Sequence, residues 1–178
     1  MIKVIAFDLG GTLLREKLKV SENARFLEPL FDDDSFYGEA IEHFGVAKPL
    51  IDKIVDEVIE EVFVIRDEKV FTAFPGYRLA IASNFSSRMR NFLEKLDMVK
   101  YFNPIVISAE VGVNKPDSKF FQILAEKIGE DPWDILFVDN LQVNVDAAAE
   151  FEFRVVKYNE GEDIVGAVKN KLEFLISN

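Results

Sequence analysis

Lys3-Val4-Ile5-Ala6-Phe7-Asp8-Leu9-Gly10-Gly11-Thr12 is the stretch on which the fold turns. Its first five residues are mostly apolar and do not alternate, the pattern of a strand covered on both faces. The run then stops at an acid followed, one residue on, by two glycines. Four more runs of the same character follow, at residues 78–82, 104–108, 135–138 and 154–157. Between the later runs, apolar residues recur at helical spacing over 87–98, 118–128, 143–150 and 163–177. Asp117 is placed to cap the helix that carries Phe120, Phe121, Leu124 and Ile128, and Gly129 to end it.

Strand alternating with helix predicts an α/β domain of three layers, a doubly wound, Rossmann-like fold on a parallel five-stranded sheet. Ligands of such sheets bind beyond the carboxyl ends of the strands. The stretch 15–75 breaks the rhythm, reading mainly as helix, with 35–44 and 49–63 the clearest pieces. A small helical cap inserted after the first strand is expected there. The chain is thereby divided into an α/β core of residues 1–14 and 76–178 and a cap of residues 15–75. Phe74-Pro75-Gly76 runs straight into the second strand, yet a parallel connection needs a crossover. The helix of 49–63 is assigned that second duty.

Length and charge narrow the function. With 178 residues, the chain has enough material for one well-buried core and an insert. Apolar residues make up 49% and charged residues 30%, an ordinary globular balance. No apolar run is long enough for a membrane span and no signal segment precedes the first strand, so a cytoplasmic protein without membrane contact is expected, as a monomer or homodimer. The absence of cysteine excludes disulfides, thiolate metal sites and cysteine nucleophiles. A net charge of −11 repels nucleic acid. It also repels a small anion: at about 4 Å and an effective dielectric near 20, each like-charge pair costs roughly 4 kcal/mol. A phosphate site here therefore needs a local cation.

Four polar sets stand at or just beyond strand ends. Asp8 is held by the first strand, with Gly10 and Gly11 freeing backbone N–H groups to turn toward an anion. Ser83 and Asn84 end the second strand and can donate to phosphoryl oxygens without adding charge. Gly112-Val113-Asn114-Lys115-Pro116-Asp117 delivers Lys115, the required cation, just before a helix. Asp139 and Asn140 end the fourth strand, with Asn144 and Asp146 following, and are hard oxygen donors suited to Mg²⁺. Singly, each has a plain reading as turn, cap or solvated charge. Their conjunction, in this order along a parallel sheet, is the signal.

This conjunction resembles the four motifs of the haloacid dehalogenase superfamily, over residues 3–157. The resemblance implies that Asp8 is a nucleophile forming an aspartyl-phosphate and that Thr12 closes the first motif. It implies a phosphate site of Gly11, Thr12, Ser83, Asn84 and Lys115, and Mg²⁺ held by Asp8, the carbonyl of Gly10, Asp139 and Asn140. The expected activity is a Mg²⁺-dependent phosphatase acting on a small phosphorylated metabolite, with the cap covering the site and selecting the substrate.

Two positions depart from the family pattern. Gly10 stands where a second acid usually protonates the leaving group and activates water, help worth about 10²–10⁴ in rate. Asn140 stands where the fourth motif usually has an acid. The same pair motivates two alternatives: a metal-independent 2-haloacid dehalogenase, or a weakly active or non-catalytic phosphate-binding scaffold. His43, the one histidine, is given no role. Asp32-Asp33-Asp34 is read as a solvated turn capping the next helix, and Phe31, Phe36 and Phe44 as core.

Overall fold

The computed structural model describes residues 1–177. Strand β1 (Val4–Phe7) leads through a tight loop to β2 (Leu14–Glu16). Helices α1 (Glu22–Leu27), α2 (Tyr37–Phe44) and α3 (Lys48–Val62) follow, and the chain returns along β3 (Phe63–Ile65). Then come β4 (Arg78–Ser83), α4 (Met89–Lys95), β5 (Phe102–Ile107), α5 (Ser108–Val111) and α6 (Ser118–Ile128). The chain finishes with β6 (Ile135–Asp139), α7 (Gln142–Glu150), β7 (Arg154–Lys157) and α8 (Ile164–Ser177).

Five strands form one parallel sheet in the order β5-β4-β1-β6-β7, with β1 at its centre. Phe7 pairs with Ile81 on one side and Val138 on the other, so the central strands end almost level and Asp8 follows directly at the crevice. Side chains alternate between two buried layers. Ile5, Phe7, Leu79, Ile81, Leu136 and Val138 face α1, α3, α4 and α8, whereas Val4, Ala6, Ala80, Ala82, Ile135 and Phe137 face α6 and α7. A three-layer α/β sandwich results, as the periodicity predicts. No helix of the described residues is long and apolar enough to cross a membrane.

Helix α6 shows how local chemistry fixes an element. The Asp117 carboxylate accepts from the Lys119 N–H at its start, and Gly129 takes φ +74° at its end, donating its N–H to the Ala125 carbonyl. Phe120, Phe121, Leu124 and Ile128 form its buried stripe.

Two features differ from expectation. The first is a ribbon: β2 and β3 pair antiparallel, Leu14 with Ile65 and Glu16 with Phe63, so the three helices leave and return through adjacent strands. Strands of three residues are too short to show a period, and Phe63 read as the end of the preceding helix. The second concerns the acidic run, which does not cap α2: the residue before that helix, Phe36, makes no side-chain cap. Asp33 accepts from the Ser35 N–H, while Asp34 accepts from the Ser86 and Ser87 hydroxyls and the Ser87 N–H. Asp34 thus fastens the helical segment to the loop after β4. Helix α3 belongs to the same buried cluster as β1 and β4, which is the second duty required of it.

Candidate active site

Asp8 continues the β1 ladder, its N–H donating to the Val138 carbonyl at 2.9 Å. The loop that follows closes on itself, with the Thr12 and Leu14 N–H groups both donating to the Leu9 carbonyl. Gly11 there takes φ +73°, and a Cβ on it would lie 2.3 Å from Asn140 Nδ2. Only glycine satisfies both the angle and the close approach. Arg66, just beyond β3, donates through Nε to the Thr12 carbonyl and through a terminal nitrogen to the Gly11 carbonyl. The carbonyls of this loop are thereby held from behind. Sequence reasoning missed Arg66, because nothing in its neighbourhood marks it as part of the first motif.

Lys115 is the electrostatic centre. Its Nζ lies 2.7 Å from Asp8 Oδ1 and 2.7 Å from Asp139 Oδ2. All three residues are buried. Burial alone would strip the lysine of its proton, but the two carboxylates outweigh that and raise its pKa. Burial is also the largest influence on Asp8; with the nearby Asp139 charge it pushes the carboxyl up to about 6 against the pull of Lys115. Near neutral pH Asp8 is therefore mainly ionised, with one oxygen on Lys115.

Two expected ligand-binding residues are occupied elsewhere. The Asn84 amide bridges the Lys115 backbone, accepting from its N–H at 2.7 Å and donating to its carbonyl at 2.8 Å. It sets the position of the lysine loop. Asp139 is fully buried, its Oδ1 accepting from the Leu141 N–H and its Oδ2 from Lys115 and Asn144 Nδ2. A strand-end position was legible from sequence in both cases; which atoms the side chain would reach was not. Ser83 and Thr12 are buried, Ser83 Oγ donating to the Asn84 carbonyl at 3.4 Å and Thr12 Oγ1 to Asn140 Oδ1 at 3.3 Å. Asp146 instead accepts from Gln142 on the exposed face of α7. His43 stacks on Phe26 within the helical segment, away from this chemistry.

Above Asp8 opens a cavity of about 390 Å³. Asp8, Gly10, Gly11, Asn84, Lys115 and Asn140 line its floor, and Phe31, Phe63 and Phe85 are among its apolar walls. Phe31 is thus both core and wall.

A family model for haloacid dehalogenase-like hydrolases matches residues 2–152. The chain belongs to that family. The HAD chain is 24% identical over 181 residues to mouse acyl-CoA dehydrogenase family member 10, a match covering 93% of this chain and 16% of that relative. It is 29% identical over 89 residues to the glyceraldehyde 3-phosphate phosphatase of Methanopyrus kandleri, covering 49% of this chain and 38% of the relative. The HAD chain therefore spans well under half the length of these curated relatives. Among solved structures, a HAD family enzyme of Bacteroides thetaiotaomicron, a variant in complex with magnesium and inorganic phosphate, superposes with a TM-score of 0.74. It is 22% identical and the superposition covers 92% of this chain and 97% of that one.

Proposed function

We propose that this HAD protein is a Mg²⁺-dependent phosphatase of small phosphorylated metabolites, working through an aspartyl-phosphate on Asp8. The observation that carries the reading is a buried carboxylate at the end of the central strand, held by one buried lysine and facing an open cavity. One Asp8 oxygen is engaged by Lys115, leaving the other to attack phosphorus. As the new Asp8–phosphorus bond forms, the ester oxygen departs and takes its proton from solvent, since Gly10 offers no acid. Water then attacks the acyl phosphate, releasing phosphate and restoring the Asp8 carboxylate. Lys115 balances charge on Asp8 before attack and on the phosphoryl oxygens during it. The phosphatase relative and the phosphate-bound neighbour support this chemistry.

The donors lining the cavity fit a Mg²⁺ ion that shares its coordination with substrate. Among the described residues no cluster of three His, Cys, Asp or Glu side chains is gathered for a metal. Mg²⁺ commonly keeps several waters and takes only one or two carboxylates besides substrate phosphate. Asp8, Gly10 and Asn140 meet that modest demand; Asp139 joins only by giving up its bond to Lys115. When bound, the ion would supply positive charge to the phosphoryl oxygens. The helical segment between β2 and β3 forms part of the cavity wall and is the proposed substrate-selecting cap.

Hydrolysis of p-nitrophenyl phosphate tests the reading, with and without Mg²⁺, for wild type and Asp8→Asn. Its good leaving group does not need the missing acid. Metal-dependent turnover that vanishes in the variant is expected, and alkyl phosphates should be about 10²–10⁴ slower. Turnover that survives Asp8→Asn sinks the assignment; chloride release from 2-haloacids in EDTA establishes the dehalogenase instead.

A further inference from the structure

The cavity above Asp8 carries more negative charge than a phosphate ester requires. Glu16 at the end of β2, Glu28 in the turn after α1, and Asp32 all line it. Among the described residues, these three side chains take no hydrogen bond or salt bridge, while Lys115, the one cation of the lining, already pairs with Asp8 and Asp139. Glu28 is half-buried, and burial first, then the charges of Glu16 and Asp32, raise its proton affinity above the ordinary. The carboxylates are close enough to repel one another, and the nearby cation, Lys115, attracts Asp32 but is already paired with Asp8 and Asp139.

The apolar part of the same cavity is aromatic. The Phe85 ring lies 5.5 Å from Phe31 and 5.5 Å from Phe63, centroid to centroid, so the three make one continuous wall. Carboxylates beside aromatic rings suit an organic cation: the former supply charge, and the latter supply ring faces and exclude water. Glu16, Glu28, Asp32, Phe31 and Phe63 all come from the ribbon and the helical segment. The residues assigned to phosphate come from the carboxyl ends of the sheet strands and the loops beside them.

Resting on the phosphatase reading above, we propose that the preferred substrate is the phosphate monoester of an alcohol bearing an ammonium group. The phosphate lies against Asp8 and Lys115, and the ammonium lies toward Glu28, Asp32 and the phenylalanine wall. Substrates whose leaving alcohol carries a carboxylate or a second phosphate meet repulsion instead. The same repulsion disfavours 2-haloacids.

Equilibrium binding of three phosphonates of similar size tests the assignment: 2-aminoethylphosphonate, propylphosphonate and 3-phosphonopropionate, each with Mg²⁺ present. The ammonium compound should bind on the order of tenfold tighter than the propyl compound, and the carboxylate on the order of tenfold weaker. Glu28→Gln/Asp32→Asn should shrink the ammonium-to-propyl ratio toward unity; each ratio is read on one preparation. If the double variant does not fold, Asp32→Asn alone, at the exposed rim, should still lower it. Equal binding by all three, tighter binding of the carboxylate, or no binding of any at millimolar concentration overturns the proposal. Phosphonates have no ester to cleave, so their order is read even where p-nitrophenyl phosphate is not hydrolysed, which separates this failure from failure of the phosphatase reading.

Discussion

Replacing Lys115 with methionine removes the charge standing between two buried carboxylates. Its Nζ lies 2.7 Å from an oxygen of each, and its side chain is 1% exposed. At an effective dielectric of about 20, a unit pair at roughly 3 Å contributes about 5–6 kcal/mol, so two contribute about 11 kcal/mol. Stripping water from a buried ion takes back several kcal/mol. The remainder agrees with the roughly 3–5 kcal/mol lost when one partner of a buried pair is removed. Methionine preserves most of the apolar stem, so packing adds little. Domains carry about 5–15 kcal/mol in all, and Lys115→Met should fold with a large part of its stability gone. The loss has a pH signature. In the variant Asp8 loses the pull of Lys115 but keeps burial and the Asp139 charge, so its already raised pKa rises further. A carboxylate whose folded pKa is raised binds more protons folded than unfolded, so the variant gains stability as pH falls. Urea unfolding followed by circular dichroism at about pH 7.5 and about pH 5.5 should give a deficit of about 3–5 kcal/mol, narrowing at the lower pH. A deficit under about 1 kcal/mol, or one that widens on acidification, refutes the view that this lysine holds both acids.

Three further outcomes are expected. Gly11→Ala forces a Cβ into Asn140 at a positive φ and should cost about 1–3 kcal/mol, seen as a fall in Tm of several degrees. Asn84→Ala removes both bonds to the Lys115 backbone; it should cost about 1–3 kcal/mol in urea unfolding and lower kcat/KM for p-nitrophenyl phosphate, a result that unchanged kinetics would contradict. Glu28→Gln should raise Tm at neutral pH and do nothing near pH 4. Its carboxyl has a raised folded pKa, so the penalty is absent where both states are protonated and complete once pH passes the folded value. A Tm gain independent of pH would show that its charge is not the cause.

The sheet was legible because a doubly covered strand writes itself as an unbroken apolar run, and because Asp8, Asp139 and the glycines mark where each run meets the crevice. The ribbon was not, since three residues cannot display a repeat. Asp34 shows the same limit differently: an acidic triplet looks solvated until the fold brings Ser86 and Ser87 to it. The sequence singled out Asp8 and Lys115, which the fold brings to 2.7 Å of each other, but not the hydrogen-bond destinations of Asn84 and Asp139. Glu16, Glu28 and Asp32 sit in no motif, and only the cavity unites them.

The ribbon also says something about how such a chain can be altered. Glu16 and Phe63 are paired neighbours, and the bonds from Lys17 N–H to the Val62 carbonyl and from Arg66 N–H to the Leu13 carbonyl extend the grip at both ends. Residues 17–62 therefore begin and end side by side, like a loop of rope held in one clasp. Whatever is spliced between the clasp's two arms, long or short, leaves the rest of the route undisturbed. Deletion is a different matter, because α3 shields one face of the sheet and its loss would leave Ile5, Phe7 and Ile81 wet. Exchange is the operation this architecture tolerates: another helical segment that covers the same face can be grafted in and present a new set of side chains to Asp8.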